Sequence, residues 1–224
     1  MKNYLFIGLL FTAASFSFAA VYAAQEPNTP VIPKEKIMLW NGTDLTGWQP
    51  YTRSGTQDAQ GTWIVKGDVI RCEGKPNGYM RTQKDYANYL LHVEWRWPEK
   101  PGNSGVLIHT SLPDNVWPKS LECQLGSGDA GDFWEIGGVE FSEHAKKDKR
   151  VRDRRVIKLK DSSEKPAGQW NSYDIICKDD FVVVLVNGVL QNMATKFSVN
   201  SGKICLQSEG SPIEFRNIYI EPLE

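Results

Sequence analysis

Between Leu90 and Gln124 the chain alternates apolar and polar side chains in three separate runs. A period of two restricts such runs to β-strands with one buried face. Leu91, Val93, Trp95 and Trp97 share one parity, and His92, Glu94 and Arg96 share the other. Val106 and Ile108 oppose Leu107 and His109, while Leu121, Cys123 and Leu125 oppose Glu122 and Gln124. If these strands are neighbours, their polar parities form one surface bearing carboxylates, a carboxamide, a guanidinium and imidazoles.

The rest of the chain follows the same pattern. A hairpin is expected across Thr62–Cys72, turning at Lys66-Gly67, and a second across Phe181–Met193, turning at Asn187-Gly188. Gln169–Lys178, Lys203–Gln207 and Ile213–Ile220 read as further strands. There is no long apolar period of 3.6 and no internal repeat. Many short strands over about 200 residues predict an all-β fold, an antiparallel β-sandwich with a concave polar groove. The loops Lys100–Ser104 and Gly126–Asp132 are expected at its edge.

The 224 residues carry 26 basic and 27 acidic side chains, so no global charge draws the protein to nucleic acid. Residues 1–24 have a basic start, a short apolar run and small residues at Ala23-Ala24, the pattern of a secretory signal peptide. Removing them removes Lys2 and no acid, taking the formal charge from −1 to −2. The expected mature chain is exported, periplasmic or secreted, with no transmembrane span: a Pro-rich extended leader over 25–36 and a single sandwich domain over 37–224. Cys72, Cys123, Cys177 and Cys205 form no Cys-x-x-Cys, which argues against zinc; three full disulfide pairings are open, and the apolar settings of three of the four favour small buried hydrophobes over them. From Lys146 to Arg155 seven basic residues accompany two acids, either a solvated loop or an electrostatic rim for an anionic ligand.

Six blocks, in order, carry a resemblance: Leu39–Trp48, Asn103–Val106, Glu122–Gln124, Gly168–Tyr173, Asn187-Gly188 and Leu206–Ile218. Together they resemble the 3-keto-disaccharide hydrolase family, from about residue 36 to the end. The resemblance implies a concanavalin A-like jelly roll acting on glycosides whose glucose unit is oxidised to a ketone at C3. It also implies export by bacteria, work beside a sugar 3-oxidoreductase that makes the keto-sugar, and in some members a divalent metal ion. Many members have Leu-Gln-Asp-His-Gly near the end, where this chain has Leu206-Gln207-Ser208-Glu209-Gly210, so no histidine role is carried over there.

A C3 ketone acidifies the hydrogen at C2, because the resulting carbanion is an enolate. Cleavage then needs a base, a stabiliser at the enolate oxygen and an acid for the leaving oxygen. His109 is the first choice for the base, since imidazole titrates near neutrality. Glu122 is acid, base or metal ligand, and Arg96 stabilises the enolate or holds Glu122. Gln124, Asn103 and Ser104 are candidates for sugar contacts, Trp134 and Trp117 for stacking on a ring. Glu122 and Asp132 are the candidate ligands of a divalent metal. Gln207 and Glu209 come from the last matched block, and one of them is expected to reach the site. The competing classes are a lectin-like carbohydrate-binding module and an ordinary glycoside hydrolase, which would need two carboxyl groups astride the bond.

Overall fold

The computed structural model describes residues 29–55, 59, 61–145 and 149–224; the expected signal segment and the start of the leader lie outside them. Two antiparallel sheets of eight strands face each other. The first runs β14 (Val189–Ala194), β13 (Phe181–Val186), β12 (Asn171–Lys178), β6 (Tyr89–Arg96), β16 (Ile213–Glu221), β4 (Val69–Cys72) and β3 (Trp63–Lys66), with β1 (Ile37–Met38) added to β16. The second runs β10 (Val151–Arg152), β11 (Arg155–Val156), β9 (Phe133–Ile136), β8 (Ser120–Gln124), β7 (Gly105–Thr110), β15 (Lys203–Ser208), β5 (Gly78–Thr82) and β2 (Trp48–Thr52). One short helix, α1 (Ser142–Ala145), follows β9. This is the expected jelly-roll sandwich. Among the described residues no helix is long and apolar enough to cross a membrane.

Alternation builds the core. On β6, Tyr89, Leu91, Val93 and Trp95 are fully buried, and on β12 Tyr173, Ile175 and Cys177 face them from the neighbouring strand. Val106, Ile108, Leu121, Cys123, Ile204 and Leu206 bring the second sheet into the same cluster. The four cysteines are buried and unpaired. Burial of a charged thiolate is unfavourable, so the thiols of Cys177 and Cys205 are pushed up to about 12.

The central strands of the second sheet are buried on both faces. Their outer parity carries a separate small cluster of Tyr79, Leu107, Ile136 and Cys205, with Tyr51 packed against it. The concave surface is therefore apolar over part of its floor. It is wired to the opposite sheet by Tyr173, whose hydroxyl donates to the Gln124 carbonyl at 2.8 Å and accepts from the Gly131 amide at 2.6 Å. Buried backbone groups need such partners, and here a side chain crossing the sandwich supplies them.

Of the leader, Val31 forms an isolated parallel bridge with Tyr86 and packs on the core. That contact ties residues before β1 to the domain.

Candidate active site

A cleft of about 360 Å³ opens on the concave face of the second sheet, and β8 runs along its floor. Glu122 and Gln124 alternate with the core residues Leu121 and Cys123, so both point outward as the period of two requires. Asn103 comes from the loop before β7, and Glu209 stands one residue past the end of β15. Trp134 rises from β9, paired with Glu122 across the strands. Trp117 reaches the cleft from the loop between β7 and β8, and Arg154 from the turn between β10 and β11.

Local chemistry fixes each group. Gln124 Oε1 accepts from the amides of Leu125 and Gly126 at 2.8 and 2.6 Å, which leaves its NH2 as the donor of the carboxamide. Asn103 Nδ2 donates to Glu209 Oε2 at 2.8 Å. The Arg154 carbonyl accepts from the Glu135 amide at 2.8 Å, holding its turn beside β9, and the guanidinium lies 5.9 Å from the Trp134 ring. Glu122 is the outlier: its carboxyl is buried, and Oε1 has no hydrogen-bond partner in the protein. Burial, and then the nearby charge of Glu209, push its carboxyl up to about 8, against a smaller opposing pull from Arg154. Burial also raises the Glu209 carboxyl. With its pKa near 8, Glu122 holds its proton at neutral pH.

Several expected site residues stand elsewhere. His109 is in the left-handed region with φ of 50°, at a bulge where Leu107 to Thr110 on β7 spans Cys205 to Lys203 on β15. The extra residue turns the ring away from the concave face. It stacks on Phe197 and meets Tyr89 edge-on, and Nδ1 bonds the Val199 carbonyl oxygen at 2.8 Å. Burial drives its pKa down to about 4, which keeps the ring neutral. Arg96 belongs to β6 in the opposite sheet, where it pairs with Glu214 at 2.7 Å and covers the Trp170 ring. Glu94 beside it pairs with Arg216. The three runs between Leu90 and Gln124 are thus not all neighbours: β7 and β8 pair, and β6 lies across the core.

Ser104 is fully buried and its hydroxyl donates to the Gln207 carbonyl at 2.9 Å, so it shapes the loop. Gln207 lies on the concave parity beneath the cleft but is buried, with both polar atoms of its carboxamide unpartnered. Of the two residues from the last block, it is Glu209 that lines the cleft. Asp132 is also buried, and its carboxylate is taken by Arg155 and by the amide of Lys158 at 2.7 Å. It is not free to join Glu122 around a cation. Among the described residues no group of three or more His, Cys, Asp and Glu could hold a metal ion, so this donor set does not fit one. Arg154 was hidden in a run of seven basic residues; only the two-residue turn between β10 and β11 singles it out.

Residues 35–221 match the family described as the 3-keto-alpha-glucoside-1,2-lyase-like domain. The chain belongs to that family. No curated protein gave a significant match to the sequence. Among solved structures, a glycosyl hydrolase-like protein of Parabacteroides distasonis ATCC 8503 shares 25% identity with this lyase-like domain, covering 85% of this chain and 94% of that one at a TM-score of 0.61. The β-glucanase of Bacillus licheniformis shares 14% identity over 85% of this chain and 99% of its own, with a TM-score of 0.56. A carbohydrate-binding module of Bacillus subtilis shares 11% over 79% and 96%, with a TM-score of 0.53. The last two share the fold, which hosts both catalysis and binding. The family and the hydrolase-like neighbour support a carbohydrate-active role for the lyase-like domain.

Proposed function

We propose that the protein cleaves 3-keto-glycosides by β-elimination, with water then adding to the product. The observation that carries this reading is a cleft holding two carboxyl groups, one of which keeps its proton at neutral pH. Glu209, as carboxylate, takes the C2 proton. Electrons from that bond form the enolate at the C3 oxygen, where Arg154 and the NH2 of Gln124 supply positive charge and a hydrogen bond. As the enolate collapses, the C1–oxygen bond breaks and Glu122 gives its proton to the leaving oxygen. The products are a C1–C2 enone and a free alcohol. Addition of water at C1, with return of a proton to C2, completes a net hydrolysis.

The same pair of carboxyls supports a second reading, direct hydrolysis of an unoxidised glycoside. Incubating the protein with a 3-keto-glucoside and its unoxidised parent separates them. Cleavage of the keto-sugar alone is expected, with deuterium appearing at C2 in heavy water; cleavage of the parent alone sinks the elimination. Binding of either without turnover makes the protein a carbohydrate-binding module.

This chemistry needs a supplier of 3-keto-sugar, so we place the protein beside a sugar 3-oxidoreductase in an exported compartment. N-terminal sequencing of the protein from its source cells tests export: a start at residue 24 or 25 supports it, and an intact Met1 overturns it.

A further inference from the structure

The cleft has two unlike ends. β8 advances about 13 Å from Ser120 to Gln124 at the usual ~3.3 Å per residue. Asn103, Gln124 and Glu209 gather near its finish, offering donors and acceptors that suit the hydroxyls of a sugar ring. Near its start stand Trp117, Ile136 and Gly137, with Trp134 alongside. Ile136 is itself buried and belongs to the small apolar cluster that includes Leu107 and Tyr79, so the wall and floor at this end of the cleft are carbon. Glu122, the proton donor proposed for the leaving oxygen, lies between the two ends.

Trp117 is 38% exposed although it sits on a loop that is firmly tied down. Arg81 grips Asp114 with two bonds, Nε at 2.7 Å and the terminal nitrogen at 2.8 Å. The Tyr79 hydroxyl donates to the same carboxylate at 2.9 Å and accepts from the Asn115 amide at 3.3 Å. Ser111 and Lys119 close the loop with a backbone bond of 3.0 Å. A bidentate, partly buried guanidinium–carboxylate pair is the geometry in which an ion pair orders a segment. The ordered loop therefore presents one half-open indole face to the cleft beside Trp134 and Ile136, a wall suited to a flat apolar ring.

We propose that this end of the cleft is a leaving-group subsite for a flat, apolar aglycone, an aryl ring, with Trp117 as its stacking face. Asp114 is the positioning residue that holds Trp117 there. The inference rests on the elimination reading for what occupies the polar end. A second pyranose in the leaving-group position would strand its hydroxyls against Ile136 and the cluster beneath it, whereas an aryl ring buries only carbon.

The test compares phenyl 3-keto-β-glucoside, methyl 3-keto-β-glucoside and a 3-keto-disaccharide in the wild type, Trp117→Ala and Asp114→Asn. Comparing each variant with the wild type cancels the intrinsic leaving ability of phenol. Trp117→Ala is expected to lower kcat/KM for the phenyl substrate about tenfold more than for the methyl one, the size of one lost aromatic stacking contact. Asp114→Asn should raise KM for the phenyl substrate several-fold while kcat stays within about twofold, the split expected of lost uniform binding. A purely structural role for Asp114 would instead lower kcat for all three substrates together, and that result overturns the proposal. So would a disaccharide whose kcat/KM depends on Trp117 as strongly as the phenyl substrate's. Calorimetric binding of unoxidised phenyl β-glucoside gives a readout without turnover. If none of the keto-sugars is cleaved but this binding is tighter than that of methyl β-glucoside and is lost in Trp117→Ala, the elimination fails and the subsite stands. If the two glucosides bind alike, the subsite fails.

Discussion

The carboxyl of Glu122 occupies the space where a side chain at residue 105 would begin: a Cβ on Gly105 would lie 2.6 Å from Glu122 Oε1 and 2.9 Å from its Cγ. Gly105 is outside the left-handed region, so alanine meets no backbone penalty there. Gly105→Ala should therefore act through contact alone, costing about 1–3 kcal/mol of stability as overpacking does and expelling the carboxyl towards solvent. In water the Glu122 pKa falls, and the alkaline limb of kcat should move to lower pH. A pH–rate profile with an unmoved alkaline limb would show that the glycine does not house the acid.

Glu122 also sets a pH dependence of stability. Its folded pKa of about 8 lies above the ordinary 4.5, so the stability it contributes is complete below about 4.5 and is lost as pH rises through 8. Glu122→Gln removes the charge that must be buried at high pH. The variant's melting temperature should exceed that of the wild type by roughly 10 °C more at pH 9 than at pH 4.5. Equal differences at the two pH values would place the carboxyl in contact with solvent.

The neighbours of Glu122 should shift the same limb in opposite directions. Glu209 raises the Glu122 pKa and Arg154 lowers it. Glu209→Gln is expected to lower kcat by about 10²–10⁴-fold through loss of the base, with the residual activity failing at a lower pH than the wild type. Arg154→Ala should cost about 10²–10³-fold through loss of enolate stabilisation, with its alkaline limb moved up. Limbs that move together would mean the two groups do not act on one proton.

His109 separates a residue of the core from a residue of the cleft. His109→Asn suits the left-handed backbone, since asparagine tolerates it. It should lower stability by about 1–3 kcal/mol through the lost bond to Val199 and leave kcat/KM within about twofold. The pKa of His109 is depressed to about 4, so the stability it contributes is present above 6.5 and is lost as pH falls towards 4. Thermal melts between pH 3 and 7 should show that loss in the wild type but not in the variant. A large fall in kcat instead would return the imidazole to catalysis.

The sandwich was legible because alternation is a local property: the core-facing parities of β6 and β8 are those read from the residues. Glu122 and Gln124 were legible for the same reason. His109 was not, because one extra residue at a bulge reverses parity, and no residue type in Ile108-His109-Thr110 announces it. Arg96 failed for a different reason, since closeness in sequence between β6 and β7 does not make them neighbours in a sheet. Asp132 looked available as a turn carboxylate, but its partners come from 23 and 26 residues further on. Arg154 needed the hairpin itself to distinguish it from six similar charges.

Tyr173 gives the molecule a property that neither sheet has alone. Its hydroxyl, from the strand on the far side of the sandwich, holds the backbone at both Gln124 and Gly131. Prying the sheets apart breaks the footing of β8, the strand that carries Glu122, in the same event. Warming should then extinguish activity and fluorescence of the buried tryptophans at one temperature, leaving no inactive but folded form for a protease or a refolding assay to find.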